Sequence, residues 1–146
     1  MKIKLLPVSL SNIVETPNGA SVFFSSGKKV FVIHMARSSG DALMQAVEGE
    51  QKERPLTHDL VNSIFRNMGI HVVQVVLHKE EDGVFFTRLV LGMKNEIGTK
   101  IVEIDARPSD SLVLAAWQKR PVFITQELFD KLDDVSKMLE KIIEPK

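Results

Sequence analysis

Five stretches rich in Val, Ile and Phe predict β-strands: VFFSS from Val22, KVFVIHM from Lys29, HVVQVVLHK from His71, VFFTRLVLG from Val84 and KIVEIDA from Lys100. In the last, alternation places Val102, Ile104 and Ala106 on one face and Glu103 and Asp105 on the other. Asp82-Gly83, between two of these stretches, is a strong hairpin signal. Helical spacing takes over elsewhere. Asp41 to Val47 and Asp110 to Gln118 read as short helices with an acid near the start, where the helix dipole favours it. Thr57 reads as the N-cap of an amphipathic helix carrying Leu60, Val61, Ile64, Phe65 and Met68, ended by Gly69. Thr125 reads as the cap of a longer helix from Gln126 to Glu144, with Asp133 and Lys137 as an i,i+4 pair on its wet face.

These elements come in two similar sets. An Asn-Gly (from Asn18) or Asp-Gly (from Asp82) turn is followed by Val-Phe-Phe, a Gly- and Lys-rich break, and an alternating strand. Each strand then runs into Ala-Arg-x-Ser and an aspartate that opens a small-residue helix: Ala36, Arg37, Ser39 and Asp41, then Ala106, Arg107, Ser109 and Asp110. RPLTHDLV from Arg54 recurs as RPVFITQELF from Arg120. Matches in the same order predict an internal duplication, repeat 1 over about residues 4–69 and repeat 2 over about 72–144, within a single domain spanning residues 1–146. The expected architecture is α+β, with helices packed on one face of a largely antiparallel or mixed sheet. An exposed second sheet face, or a sheet edge such as HVVQVVLHK, would invite a homodimer, so a homo-oligomer is expected.

Composition narrows the function classes. Nineteen basic residues balance nineteen acidic ones, giving a formal net charge of +0, so tight non-specific duplex binding through many phosphates is not expected. A site for one phosphodiester remains open. The absence of cysteine excludes disulfides, thiolate nucleophiles and Cys-type zinc sites. No apolar run approaches the roughly 18 residues of a membrane span, and Pro7 interrupts an already short N-terminal apolar segment, so no membrane association and a cytoplasmic location are expected.

Two motifs concentrate the candidate chemistry. In Asp105-Ala106-Arg107-Pro108-Ser109-Asp110, Pro108 suits a helix entry and Ser109 or Asp110 can satisfy free amides, so the turn reads well as a charged cap. Alternatively Asp105 and Asp110 converge to hold Mg²⁺ or Mn²⁺, hard ions that take oxygen donors, with Arg107 clamping a phosphate. In Arg54-Pro55-Leu56-Thr57-His58-Asp59, Asp59 suits the first helical turn, while His58 beside a carboxylate could move protons near neutral pH. Only the first half keeps this His; the second has Gln126 and Glu127 at the matching places. His34, His71 and His78 fit no zinc spacing, no Gly-rich phosphate loop is present, and Trp117 reads as core or interface.

RPLTHDL from Arg54 and VEIDARPSDS from Val102, with the Asp82-Gly83 hairpin and FTRLVL between them, resemble the bifunctional nuclease domain, also known as a domain of unknown function. The likeness covers roughly residues 3–128. It implies hydrolysis of RNA and DNA. On that basis Asp105 and Asp110 are candidates for holding metal or activating water, Arg54 and Arg107 for phosphate binding, and His58 with Asp59 for proton handling. A divalent cation, no organic cofactor, and weak binding of RNA or single-stranded DNA follow as expectations. The first half departs from the family pattern, with His34-Met35-Ala36-Arg37-Ser38-Ser39-Gly40-Asp41 where many members carry a Gly-Pro-x-Glu-Ala type turn. The residues themselves also leave open a non-enzymatic interaction or regulatory domain whose charged motifs only cap helices.

Overall fold

The structure is a computed structural model that describes residues 2–50 and 52–144. Its elements follow the order β1 (Leu5–Thr16), β2 (Gly19–Ser26), β3 (Lys29–Met35), α1 (Arg37–Glu48), α2 (Thr57–Asn67), β4 (Ile70–Glu81), β5 (Val84–Asn95), β6 (Gly98–Ala106), α3 (Pro108–Gln118), β7 (Val122–Thr125), α4 (Gln126–Lys131) and α5 (Ser136–Ile143). The seven strands form one mixed sheet in the order β3-β2-β1-β7-β4-β5-β6. The fold is α+β, as expected. All five strands read from the sequence are present, and Asp82-Gly83 makes the two-residue β4–β5 turn, with both residues at positive φ.

Two strands escape the hydrophobic pattern, and they join the sheet together. β7 is only four residues long, yet it pairs antiparallel with β1 and parallel with β4. β1 contains Pro7, which cannot donate to a ladder. It is accommodated because Leu5 to Val8 pair with β7 alone, and β2 takes over only from Ser9 onward. The strand order is symmetric about β7, with a three-strand meander on either side. After α1 the chain proceeds directly to α2, whereas after α3 it passes through β7 before α4.

The apolar faces meet in two adjoining clusters. Val22, Phe24, Phe31 and Ile33 pack with Leu43 and Ala46 of α1, with Leu112 and Val113 of α3, and with Leu77, Ile124 and Leu128. Val72, Val75, Leu89 and Leu91 pack with Leu114 and Ala115 of α3. α3 is apolar on several sides because it is sandwiched between both clusters.

Four expectations are corrected. The C-terminal helix is broken: Leu132 adopts an extended conformation, and Asp134 Oδ1 accepts hydrogen bonds from the Ser136 and Val30 amides, starting α5 and tying it to β3. Asp133 and Lys137 therefore do not face each other across one helix. Thr57 is the first residue inside α2, and the cap is Leu56, whose N–H donates to Asp59 Oδ2 at 2.7 Å. Leucine offers no side-chain acceptor in return, so this capping box is one-sided. Asp41 does not open α1, which starts four residues earlier and has no acid in its first turn; only Asp110 keeps that position. Finally, HVVQVVLHK lies in β4, an interior strand between β7 and β5. The outer strands are β3 and β6, and the Val30 amide and carbonyl of β3 are covered by Asp134 and Val135. Among the described residues, no helix is long and apolar enough to cross a membrane.

Candidate functional site

The first turns of α2 and α3 meet at one corner, although His58 and Asp110 lie 52 residues apart in the chain. Pro108 opens α3, where its missing N–H costs no helical bond. Below it the strand-to-helix junction is pinned by two hydroxyls. Thr87 of β5 donates to the Ala106 carbonyl, and the fully buried Ser111 lies 2.9 Å from the Thr87 hydroxyl. With its own hydrogen committed to Ala106, Thr87 accepts from Ser111. Such a buried, mutually satisfied pair fixes the direction in which Asp110 leaves the helix.

Asp110 receives the two motifs at once. Its Oδ1 lies 2.9 Å from His58 Nε2, and its Oδ2 accepts from Arg107 Nε at 2.8 Å. The His58 and Asp110 side chains are partly covered, 23% and 36% exposed, while Arg107 is 75% exposed. Burial acts to raise the Asp110 pKa. The hydrogen bonds from Arg107 and His58, together with their charges, outweigh it and hold the carboxyl below its ordinary range. The cluster thus consists of a carboxylate with both oxygens engaged, an imidazole whose Nδ1 is free of hydrogen bonds among the described residues, and an exposed guanidinium whose Nη groups are likewise uncommitted.

A pH dependence follows from the depressed Asp110 pKa. A carboxylate that titrates lower when folded contributes stability that is fully present above its unfolded pKa of about 3.9 and is lost as pH falls through the folded value. The thermal midpoint of the wild type is therefore expected to drop more steeply below about pH 4 than that of Asp110→Asn. Parallel curves in acid would show that the His58–Asp110–Arg107 contacts do not hold the carboxylate.

The other sequence-predicted residues lie elsewhere. Asp59 is engaged by the Leu56 amide and by Lys52, whose Nζ lies 3.1 Å away, and it faces a different feature: a cleft of about 720 Å³ between α2, the segment before it and the end of α3. Arg54 is exposed in that segment and takes part in no hydrogen bond or ion pair among the described residues. Asp105 pairs in register with Arg88 on β5 and alternates with Ala106, whose side chain packs into the helix-side core. It therefore projects from the opposite sheet face to Ala106. There its charge acts on His78, whose pKa is lowered by burial and then by Arg88 and Lys79, against Asp105 and Glu103. Among the described residues no group of three or more His, Asp or Glu is placed to hold a metal ion.

Sequence reasoning missed the cleft and Lys52, whose ammonium lies 4.6 Å from the Trp117 ring centroid. One signal was present: Trp117 follows Asp110 by seven residues on α3, which returns it to the same helix face.

A sequence model of the bifunctional nuclease domain matches residues 23–136, a span that holds both motifs and the hairpin between them. The chain is also 25% identical over 116 residues to two uncharacterised proteins of Mycobacterium tuberculosis, Rv1829 of strain H37Rv and MT1877 of strain CDC 1551 / Oshkosh. These alignments cover 77% of this chain and 66% of each relative, so the chain spans just under two-thirds of the length of the curated relatives it matches. The domain match runs from β2 to the start of α5 and encloses His58, Arg107 and Asp110, and the chain belongs to the bifunctional nuclease domain family.

Proposed function

We propose that this protein hydrolyses phosphodiester bonds of single-stranded RNA or DNA, with the cluster of His58, Asp110 and Arg107 as its reaction centre. The observation that carries the reading is the 2.9 Å contact between His58 and Asp110, which joins two motifs 52 residues apart in a partly exposed corner. The family's description as a nuclease supports the same chemistry.

The roles follow from the hydrogen bonds. With Nε2–H donated to Asp110, the neutral His58 ring presents Nδ1 as a proton acceptor. It removes the proton from an attacking hydroxyl or water as the new O–P bond forms. Asp110 holds the ring and stabilises the resulting imidazolium, the work an aspartate does behind a catalytic histidine. Arg107, anchored through Nε, keeps its Nη groups for the non-bridging phosphate oxygens. The proton returns from His58 to the leaving oxygen as the old P–O bond breaks. These three side chains are joined by their own hydrogen bonds, and no step is routed through Mg²⁺ or Mn²⁺.

The test is cleavage of single-stranded RNA and DNA by wild type and Arg107→Ala, each in chelator and with added Mg²⁺ or Mn²⁺. Wild type is expected to cleave in chelator, and loss of a charge-assisted phosphate contact should lower kcat/KM by about tenfold or more. Equal rates for both proteins would place the activity outside this cluster. Cleavage that requires a divalent ion and is lost in Asp105→Asn would return the reaction to a metal site built on Asp105.

A further inference from the structure

The cleft beside the cluster has the size of a small-molecule site, where about 300–1,000 Å³ is usual; its volume is about 720 Å³. Its chemistry differs from that of the cluster. Lys52 and Arg66 are offset by Glu50 and Asp59, so the formal charges of the lining cancel. A phosphate has little reason to settle in such a place. A flat, uncharged ring with polar edges fits better, and the cleft supplies the means to hold one.

Trp117 offers an indole face. Lys52 now stands over it at 4.6 Å, tethered by Asp59 at 3.1 Å, in the position a stacked ring would take. Asn62 offers a directed donor whose orientation is set from the backbone. The Val72 N–H donates to Gln118 Oε1 at 2.8 Å, so the other end of that amide, Nε2, donates to Asn62 Oδ1 at 2.8 Å. Asn62 is thereby turned with its NH₂ uncommitted among the described residues, and it lines the cleft. Position links the cleft to the cluster. Seven residues of α3 separate Trp117 from Asp110, a rise of about 10.5 Å on nearly the same helix face, and Asp59 of the cleft lining directly follows His58.

We propose that this cleft is a base-binding subsite: it takes a nucleobase of a single-stranded nucleic acid, stacked on Trp117 and hydrogen-bonded by Asn62, next to the phosphate handled at His58. The inference rests on the reading of His58, Asp110 and Arg107 as the cleavage centre and adds what lies beside the scissile bond. As the base enters, the Lys52 ammonium leaves the indole face and meets the incoming backbone phosphate. Recognition through a π-face and one donor is tolerant of sequence, as single-strand binding by aromatic platforms generally is.

Trp117 is the only tryptophan, so its fluorescence reports on the cleft directly. The probes are a single-stranded pentanucleotide and its abasic counterpart, which keeps the phosphates and lacks the bases. They are titrated into wild type, His58→Ala and Asn62→Asp, beside a cleavage assay of the wild type. The base-bearing strand is expected to quench Trp117 equally in wild type and His58→Ala. It should bind about tenfold more tightly than the abasic strand, the scale of losing one stacked base. Asn62→Asp, nearly isosteric, should lose about tenfold in affinity for the base-bearing strand. Equal affinity for both strands, or unchanged Trp117 emission at saturation, would overturn the subsite even if the wild type cleaves. Base-dependent quenching without any cleavage would uphold the subsite and sink the nuclease reading.

Discussion

His58→Ala is expected to lower the turnover of single-stranded RNA or DNA by about 100-fold or more, the usual contribution of a positioned general base. The expectation rests on the arrangement of hydrogen bonds. Both oxygens of Asp110 are engaged, one by His58 Nε2 and the other by Arg107 Nε, so the carboxylate holds the ring and is not itself free to take the substrate proton. His58→Gln sharpens the test, because glutamine can donate to Asp110 but cannot carry a proton through the reaction. It should be as inactive as alanine while preserving the Arg107–Asp110 contact. His58 is partly exposed and lies in the first turn of α2, so both variants should fold with thermal midpoints close to wild type. Unchanged turnover in a folded His58→Ala protein would place the proton acceptor elsewhere. Loss of binding in step with loss of rate would make His58 a contact residue.

What the sequence disclosed and what it concealed divide along physical lines. The meander strands β2–β3 and β4–β5–β6 were legible because each carries its own β-branched and aromatic run, and the Asp82-Gly83 turn needs only local backbone geometry. β1 and β7 were not, since a proline in one and four residues in the other leave too little periodic signal. Their pairing is decided by the long-range packing of Leu6, Val8 and Ile124. The broken C-terminal helix shows the same limit. Leu128, Phe129, Leu132, Val135 and Leu139 keep helical spacing through a stretch where Asp134 instead binds amides of β3 and α5. At the candidate site, the two motifs were legible as charged helix entries, but their meeting was not. His58 and Asp110 are joined by the packing of α2 against α3 and not by any spacing in the chain. Asp105 shows the converse. It lies five residues from Asp110, yet the strand's period of two turns it toward Arg88 and His78, away from the helix side.

Phe31→Ala is expected to destabilise the folded state by about 3–5 kcal/mol, the range for removing a fully buried aromatic ring. Phe31 is 1% exposed, stacks on Phe24 with ring centroids 5.6 Å apart, and meets Phe129 edge-on at 6.3 Å. The ring therefore joins the β2–β3 hairpin to α4, and its loss opens a cavity on both sides at once. At about 2–4 °C per kcal/mol for a chain near this size, the thermal midpoint should fall by about 10 °C. The effect should be spatially selective. Val30, the residue before it on β3, exchanges hydrogen bonds with Asp134 and Val135, so amide exchange is expected to quicken first in β3 and α5. α2 rests on a different part of the core, in which Val61 and Phe65 pack beside Val72, Leu89 and Leu114, and the Asp110 end of α3 is held by the Thr87–Ser111 pair. Turnover per folded molecule, measured well below the midpoint, should therefore match wild type. A destabilisation under about 1 kcal/mol, against the 3–5 expected of a buried aromatic, would show that α4 does not depend on this ring. A drop in turnover of the folded protein would show that the sheet transmits changes at the β3 edge to the corner where His58 meets Asp110.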